Sequence, residues 1–261
     1  MSTTVPPATT RAGGPASWRA DPYANALRDG RGPLFLRRSD GWLLPLEVER
    51  WCAPPDPADL SALRRCEGSV LDVGCGPGRL VAALAARGDR ALGIDVSEAA
   101  VERTLRSGGA ALLRSVFDPL PGEGRWGTAL LVDGNVGIGG DPSALLARVA
   151  QLLRPGGLLI AETVPTDVDE RVEVSVDDGR GSPGEPFLWS RLGARALLRH
   201  TRPLGWRLAD QWTSGGRRFL ALRRPPTAHS ARHDAAAANN AAVMSSQRVR
   251  NTPAGSPVVD S

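Results

Sequence analysis

Residues 70–80 read V-L-D-V-G-C-G-P-G-R-L: an apolar run, three glycines at alternate positions, then a second apolar run. A glycine-rich turn between a strand and a helix lets a ligand approach the backbone closely, because glycine has no Cβ. An acid, Asp72, precedes the glycines, and Pro77 lies among them. Phosphate binding is the first chemistry to weigh. The dinucleotide fingerprint G-x-G-x-x-G puts its third glycine where this chain has Arg79; here the third is Gly78, after Gly74 and Gly76. A P-loop needs G-K-[ST], and the sequence has no lysine. Pro77 has no N–H, so the loop lacks one donor that a phosphate nest uses. A ligand carrying a carboxylate and an amine suits this turn better than a pyrophosphate.

A second acid, Asp95, ends the run A-L-G-I-D at 91–95. A carboxylate at the end of the second strand of an alternating sheet accepts hydrogen bonds from a ribose diol. Ser115, Val116 and Phe117 follow a third apolar run, near where a purine would lie. Asp133 and Asn135 follow a fourth. The remaining chemistry-bearing residues are sparse. Cys52, Cys66 and Cys75 form no C-x-x-C pair and read as reduced thiols; of three histidines, His229 and His233 fall in a polar tail, so no metal site is expected.

These residues need elements to position them. Strand patterns at 69–73, 91–95, 110–113, 127–132 and 158–162 alternate with helical patterns at 79–87, 97–106 and 142–153. Ser97 reads as an N-cap, and Pro142 suits a first helical position. Such alternation predicts a parallel sheet covered by helices on both faces. Strands at 207–213 and 217–222 around S-G-G predict a terminal antiparallel hairpin. Between them, 171–176 reads as an extra strand and 189–204 as a helix. Ahead of the first glycine, 18–27 reads as a short helix. A strand-turn-strand follows around Asp40-Gly41, and residues 56–66 read as another helix. The fold class is therefore α/β: a doubly wound, mostly parallel seven-stranded sheet with a small N-terminal cap. The expected divisions are a disordered lead at 1–17, a cap at 18–68, a ligand-binding domain at 69–224 and a disordered tail at 225–261.

Composition narrows the function classes. The 261 residues are 41% hydrophobic, enough for a substantial core, and no apolar run reaches membrane-spanning length. The start lacks a basic-then-apolar signal, so a cytoplasmic location is expected. All 32 basic residues are arginine, a usage typical of a GC-rich genome, as in an actinobacterium. A net charge of +4 with scattered arginines argues against a nucleic-acid partner.

Taken together, the motifs resemble those of class I S-adenosylmethionine (SAM)-dependent methyltransferases. Residues 70–78 match that family's first motif closely, 92–97 its second, and L-L-R-P-G-G at 152–157 the stretch before its fifth strand. The resemblance implies SAM as cofactor. Gly74, Gly76 and Gly78 would face its methionine end, Asp95 would bind its ribose hydroxyls, Val116 and Phe117 would flank its adenine, and Asp72 and Val96 would belong to the same cofactor-binding set. Many members place an Asp at the position of Ser115; here either Ser115 or Asp118 would receive the adenine amine. Asp133 would lie between cofactor and acceptor. The sequence lacks N-P-P-Y and D-P-P-Y after the fourth strand and has no Pro-Cys nucleophile, which disfavours DNA and protein-glutamine acceptors. A small-molecule acceptor is expected, held by Tyr23, Trp42 and Asn135, with Asp133 or His200 as base where one is needed. A non-catalytic SAM-binding protein and a nicotinamide-dependent oxidoreductase are the alternatives.

Overall fold

The computed structural model describes residues 21–180 and 183–225. The expected lead, and the tail beyond Pro225, lie outside the described residues. Within the described chain, strand follows helix as the hydrophobic pattern requires. The N-terminal elements are α1 (Asp21–Asp29), β1 (Phe35–Arg38), β2 (Leu43–Pro45), α2 (Val48–Cys52) and α3 (Pro57–Leu63). The alternating body comprises β3 (Val70–Val73), α4 (Arg79–Ala86), β4 (Ala91–Asp95), α5 (Glu98–Arg106), β5 (Ala111–Leu113), β6 (Trp126–Leu131), α6 (Pro142–Leu152) and β7 (Leu153–Thr163). The last stretch holds β8 (Asp169–Asp177), β9 (Phe187–Leu192), α7 (Ala194–Thr201), β10 (Arg207–Ser214) and β11 (Arg217–Arg223).

Seven strands form one sheet in the order β10-β11-β7-β6-β3-β4-β5. The pairs from β7 to β5 are parallel, and β11 runs antiparallel to both β7 and β10. The fold class is as expected. Alternate residues of the strands feed two cores. Leu71, Ile94, Leu131 and Leu159 pack under α6 and α7, while Val70, Leu130, Ile160 and Phe219 pack under α3 and α4. Caps close the helix starts where the sequence placed them. The Ser97 hydroxyl accepts from Ala100 N, and Asp141 accepts from Ala144 N ahead of Pro142. Asp56 and Asp59 form a reciprocal capping box on α3.

Two readings change. The helix expected over 189–204 is a strand followed by a helix. β9 pairs antiparallel with β8, setting Val172 opposite Trp189 and Val174 opposite Phe187, and α7 begins only after Gly193. The helical periodicity holds over 194–201 only; residues 187–192 alternate as a sheet requires. Nor is the cap contiguous in sequence. β1 pairs with β2 on one side and with β8 on the other, giving a second sheet in the order β2-β1-β8-β9. The lid is thus built from the N-terminal hairpin and from a segment more than a hundred residues later. Its core includes Leu27, Leu34, Leu36, Val48, Val174, Val176, Phe187 and Trp189, and it meets the main body at Ala100 of α5. By contrast, α3 packs through Ala58, Ala62 and Leu63 on the main sheet, and so belongs with the body.

Candidate active site

At the carboxyl end of β3 the chain turns through Gly74, Gly76 and Gly78, with φ of 72°, 53° and 83°. These left-handed conformations are cheap only for glycine. Space demands it as well. A Cβ on Gly74 would stand 2.8 Å from Asn135 Nδ2, and one on Gly78 would stand 2.3 Å from Thr104 Oγ1. The loop is braced from three sides. Gly74 N and Cys75 N donate to Ile94 O at 2.9 and 3.0 Å, and Gly78 N donates to Cys75 O at 3.0 Å. Asn135 Nδ2 donates to Val73 O and Gly74 O, both at 2.9 Å. Thr104 Oγ1 donates to Gly76 O at 3.1 Å.

Asp95 ends β4 beside this loop. Its Oδ2 accepts from Gly76 N and its Oδ1 from Ser97 N, each at 2.9 Å. Burial raises its carboxyl pKa, opposed by the amides of Ser97, Gly76 and Val96. Every N–H from Gly74 to Gly78 is therefore engaged within the protein or, at Pro77, missing. That arrangement has no open nest for a pyrophosphate.

The loop faces a cavity of about 530 Å³, within the range of small-molecule sites. Of the residues expected from sequence, Tyr23, Gly74, Gly76, Asp95, Val96, Ser115, Val116, Phe117, Asp133 and Asn135 all line it. Ser115 and Val116 are buried, while Phe117 is 43% exposed. Asp118 accepts from Ser115 N at 3.0 Å and does not line the cavity. The lid supplies Leu36 and Leu44 from β1 and β2, Leu46 from just after β2, Trp51 from α2, and Leu188 and Trp189 from β9.

Four expected residues stand elsewhere. Asp72 is buried under the loop, where desolvation pushes its carboxyl up to about 7. Gly78 is the N-cap of α4 and abuts Thr104. Trp42 lies on the lid's outer part, 37% exposed, with the Arg191 guanidinium 4.9 Å from its ring centre. His200 is on α7, outside the cavity lining. It is bonded to Asp169 Oδ1 at 3.0 Å and to Ser143 Oγ at 3.2 Å.

Asp133 reaches the cavity but is tightly held. It is the non-glycine residue with positive φ among those described, at 59°. Its carboxylate meets Arg79 Nη1 at 2.7 Å, Arg50 Nη1 at 2.8 Å and Arg217 Nη2 at 3.1 Å. Burial raises its pKa, and the guanidinium groups of Arg79, Arg50 and Arg217 overcome that, leaving it below the ordinary carboxylate value. The network continues beneath. Arg79 also grips Asp59 through Nε and Nη2 at 2.8 Å each, and Arg217 bonds Asp59 at 2.7 Å and Glu162 at 2.7 Å. Burial opposes ionisation of Asp59, yet Arg79 and Arg217 hold its pKa down at about 2.

Sequence reasoning missed these arginines and the lid's apolar wall. Arg79, next to the last glycine, is the one that proximity to the motif signalled. Arg50, Arg217 and the β9 residues are far away in sequence, and nothing local marked them.

Solved structures share this architecture. The chain superposes with a TM-score of 0.68 on a SAM-dependent methyltransferase from Bacteroides fragilis crystallised with S-adenosyl-L-homocysteine, at 22% identity, covering 81% of this chain and 97% of that one. With a 1,6-didemethyltoxoflavin-N1-methyltransferase from Burkholderia thailandensis the TM-score is 0.50 at 20% identity, covering 65% and 77%. No curated protein sequence matches significantly. A family model described as a methyltransferase domain matches residues 48–211, from the lid helix α2 through the glycine loop to β10. That match spans well over half of the sequence, and the chain belongs to the methyltransferase-domain family.

Proposed function

We propose that this protein binds SAM along the glycine loop and transfers its methyl group to a small, largely apolar acceptor enclosed by the lid. The observation that carries the reading is Asp95. Its carboxylate is pinned between Gly76 N–H and Ser97 N–H at the end of β4, with lone pairs left to accept from a ribose diol. The engaged loop amides support a ligand without phosphates. The two structural relatives carry SAM chemistry in their own descriptions, in keeping with this choice of cofactor.

SAM bound here supplies an electrophilic methyl group on a sulfonium. The protein's part is alignment and exclusion of water. Leu36, Leu44, Leu46, Leu188 and Trp189 give the cavity an apolar lining and favour an apolar acceptor body. The methyl acceptor of the Burkholderia thailandensis relative, named in its description, is likewise a small molecule. Asp133 and His200, the two base candidates, fit that role poorly: the first is neutralised by arginines and the second is away from the cavity. The acceptor in this reading brings its own lone pair, and Asp133 with Asn135 shapes the floor beneath it.

Calorimetric titration of SAM and S-adenosylhomocysteine into the wild type and Asp95→Ala tests the proposal. Micromolar binding in the wild type, weakened at least tenfold in the variant, is expected. A wild type that binds neither overturns it. Once an acceptor is found, Leu44→Ala should weaken its binding several-fold while leaving S-adenosylhomocysteine affinity unchanged.

A further inference from the structure

The exposed members of the cavity lining mark its mouth. Most lining residues are buried or half-buried, whereas Arg114, Phe117, Gly139 and Leu188 are exposed. These four lie together. Arg114 and Phe117 both follow β5. A Cβ on Gly139 would stand 2.9 Å from the Phe117 ring, and one on the next residue, Gly140, would strike Leu188 of β9. Phe117 and Leu188 are the large apolar side chains of this rim, 43% and 41% exposed.

The rim also carries a charge. Among the described residues two cations line the cavity, Arg79 and Arg114. Arg79 is buried and shared between Asp59 and Asp133. The Arg114 side chain donates to Leu113 O at 3.1 Å and forms no ion pair among the described residues. The acids near it turn to backbone amides instead, Asp95 to Gly76 N and Ser97 N and Asp118 to Ser115 N. Arg114 N donates to Asp95 O at 2.9 Å, which fixes the base of the side chain. A guanidinium presents five N–H donors in a fork that matches a carboxylate. Most of those donors are uncommitted here.

An acceptor in this cavity meets two surroundings. Its body would lie among Leu36, Leu44, Leu46 and Trp189, where a charged group would lose its water and find no partner. At the mouth the same group keeps part of its water and gains Arg114.

We propose that the methyl acceptor is a small organic acid, with an apolar body inside the cavity and a carboxylate at the mouth bound by Arg114. Arg114 is then a specificity-determining residue for the acceptor, and Phe117 and Leu188 flank the neck of the molecule. This rests on the SAM reading above.

The test uses two probes that share one apolar body, 4-phenylbutanoate and 4-phenylbutan-1-ol. Each is titrated calorimetrically into protein saturated with S-adenosylhomocysteine, as wild type and as Arg114→Met, which keeps an unbranched stem without the charge. The expected result is about fivefold tighter binding of the acid than of the alcohol to the wild type, an advantage that disappears in the variant. S-adenosylhomocysteine itself should bind the variant within about twofold of wild type, which also reports that its cavity is folded. A wild type that binds the acid no better than the alcohol overturns the proposal, as does an advantage that survives in Arg114→Met. Weakened S-adenosylhomocysteine binding in the variant assigns the guanidinium to the cofactor and overturns it too. A wild type that does not bind S-adenosylhomocysteine overturns the cofactor reading itself, and this proposal with it.

Discussion

Arg50 of the lid helix α2 and Asp133 of the turn after β6 stand 2.8 Å apart, Nη1 to Oδ1, across 83 residues of sequence. The pair ties the lid to the turn after β6, whose Asp133, Gly134 and Asn135 line the cavity. Asp133 keeps Arg79 and Arg217 when Arg50 is removed, and Arg50 is itself 26% exposed. Arg50→Ala is therefore expected to cost only about 1 kcal/mol of stability. A thermal melt should show a drop of roughly 2–4 °C. A loss well beyond that would mean the lid depends on this one tie.

Two glycines with nearly the same backbone separate conformational strain from collision. Gly78 has φ of 83° and Gly88 has φ of 80°. A Cβ on Gly88 meets nothing within 4 Å, whereas one on Gly78 drives into Thr104 at 2.3 Å. Thr104 cannot swing away without giving up its bonds to Gly76 O and Ala100 O. Gly88→Ala should cost about 1 kcal/mol. Gly78→Ala should cost several times more and abolish cofactor binding. Equal melting temperatures for the two variants would show that Thr104 yields.

Opposite pH dependences are expected from Asp72 and Asp59. Burial raises Asp72 to about 7, above its ordinary 3.8, so the unfolded chain ionises first. Its contribution to stability is full below pH 4 and is lost as pH rises toward 7, on the order of 4 kcal/mol in all. Asp72→Asn should therefore melt higher than wild type at pH 8, and the difference should shrink toward pH 4. Asp59, held at about 2 by Arg79 and Arg217 against burial, stabilises above its ordinary 3.8. That stability disappears as pH falls from 4 toward 2, and Asp59→Asn should flatten acid unfolding there. Parallel pH curves for wild type and Asp72→Asn would refute the first assignment.

With an acceptor in hand, His200→Gln is expected to change turnover by less than twofold. Its ring is anchored to Asp169 and Ser143, away from the cavity. Asp133→Asn should lower turnover by disturbing Arg79 and Arg50, yet leave the shape of the pH–rate profile intact, because a carboxylate shared by three arginines is a weak base. Loss of the profile's acid limb in Asp133→Asn would restore Asp133 as the base.

Much of the molecule was legible along the chain. The strand-loop-helix at 70–86, the strand ending at Asp95 and the capped helices α5 and α6 follow from apolar periodicity, caps and glycines, whose causes are local. The same locality put Gly74, Gly76, Asp95, Val116 and Phe117 at one sheet edge, since successive parallel strands all present their carboxyl ends there. Only the tertiary structure could decide the rest. Pairing of β1 with β8, which completes the lid, joins segments more than a hundred residues apart, and alternation in one strand carries no address for its partner. The Arg50–Asp133–Arg79–Asp59–Arg217 network depends on the same long-range meeting. Whether a carboxylate is a free base or a neutralised support is set by which charges surround it. For Asp133 those charges come from three separate parts of the chain.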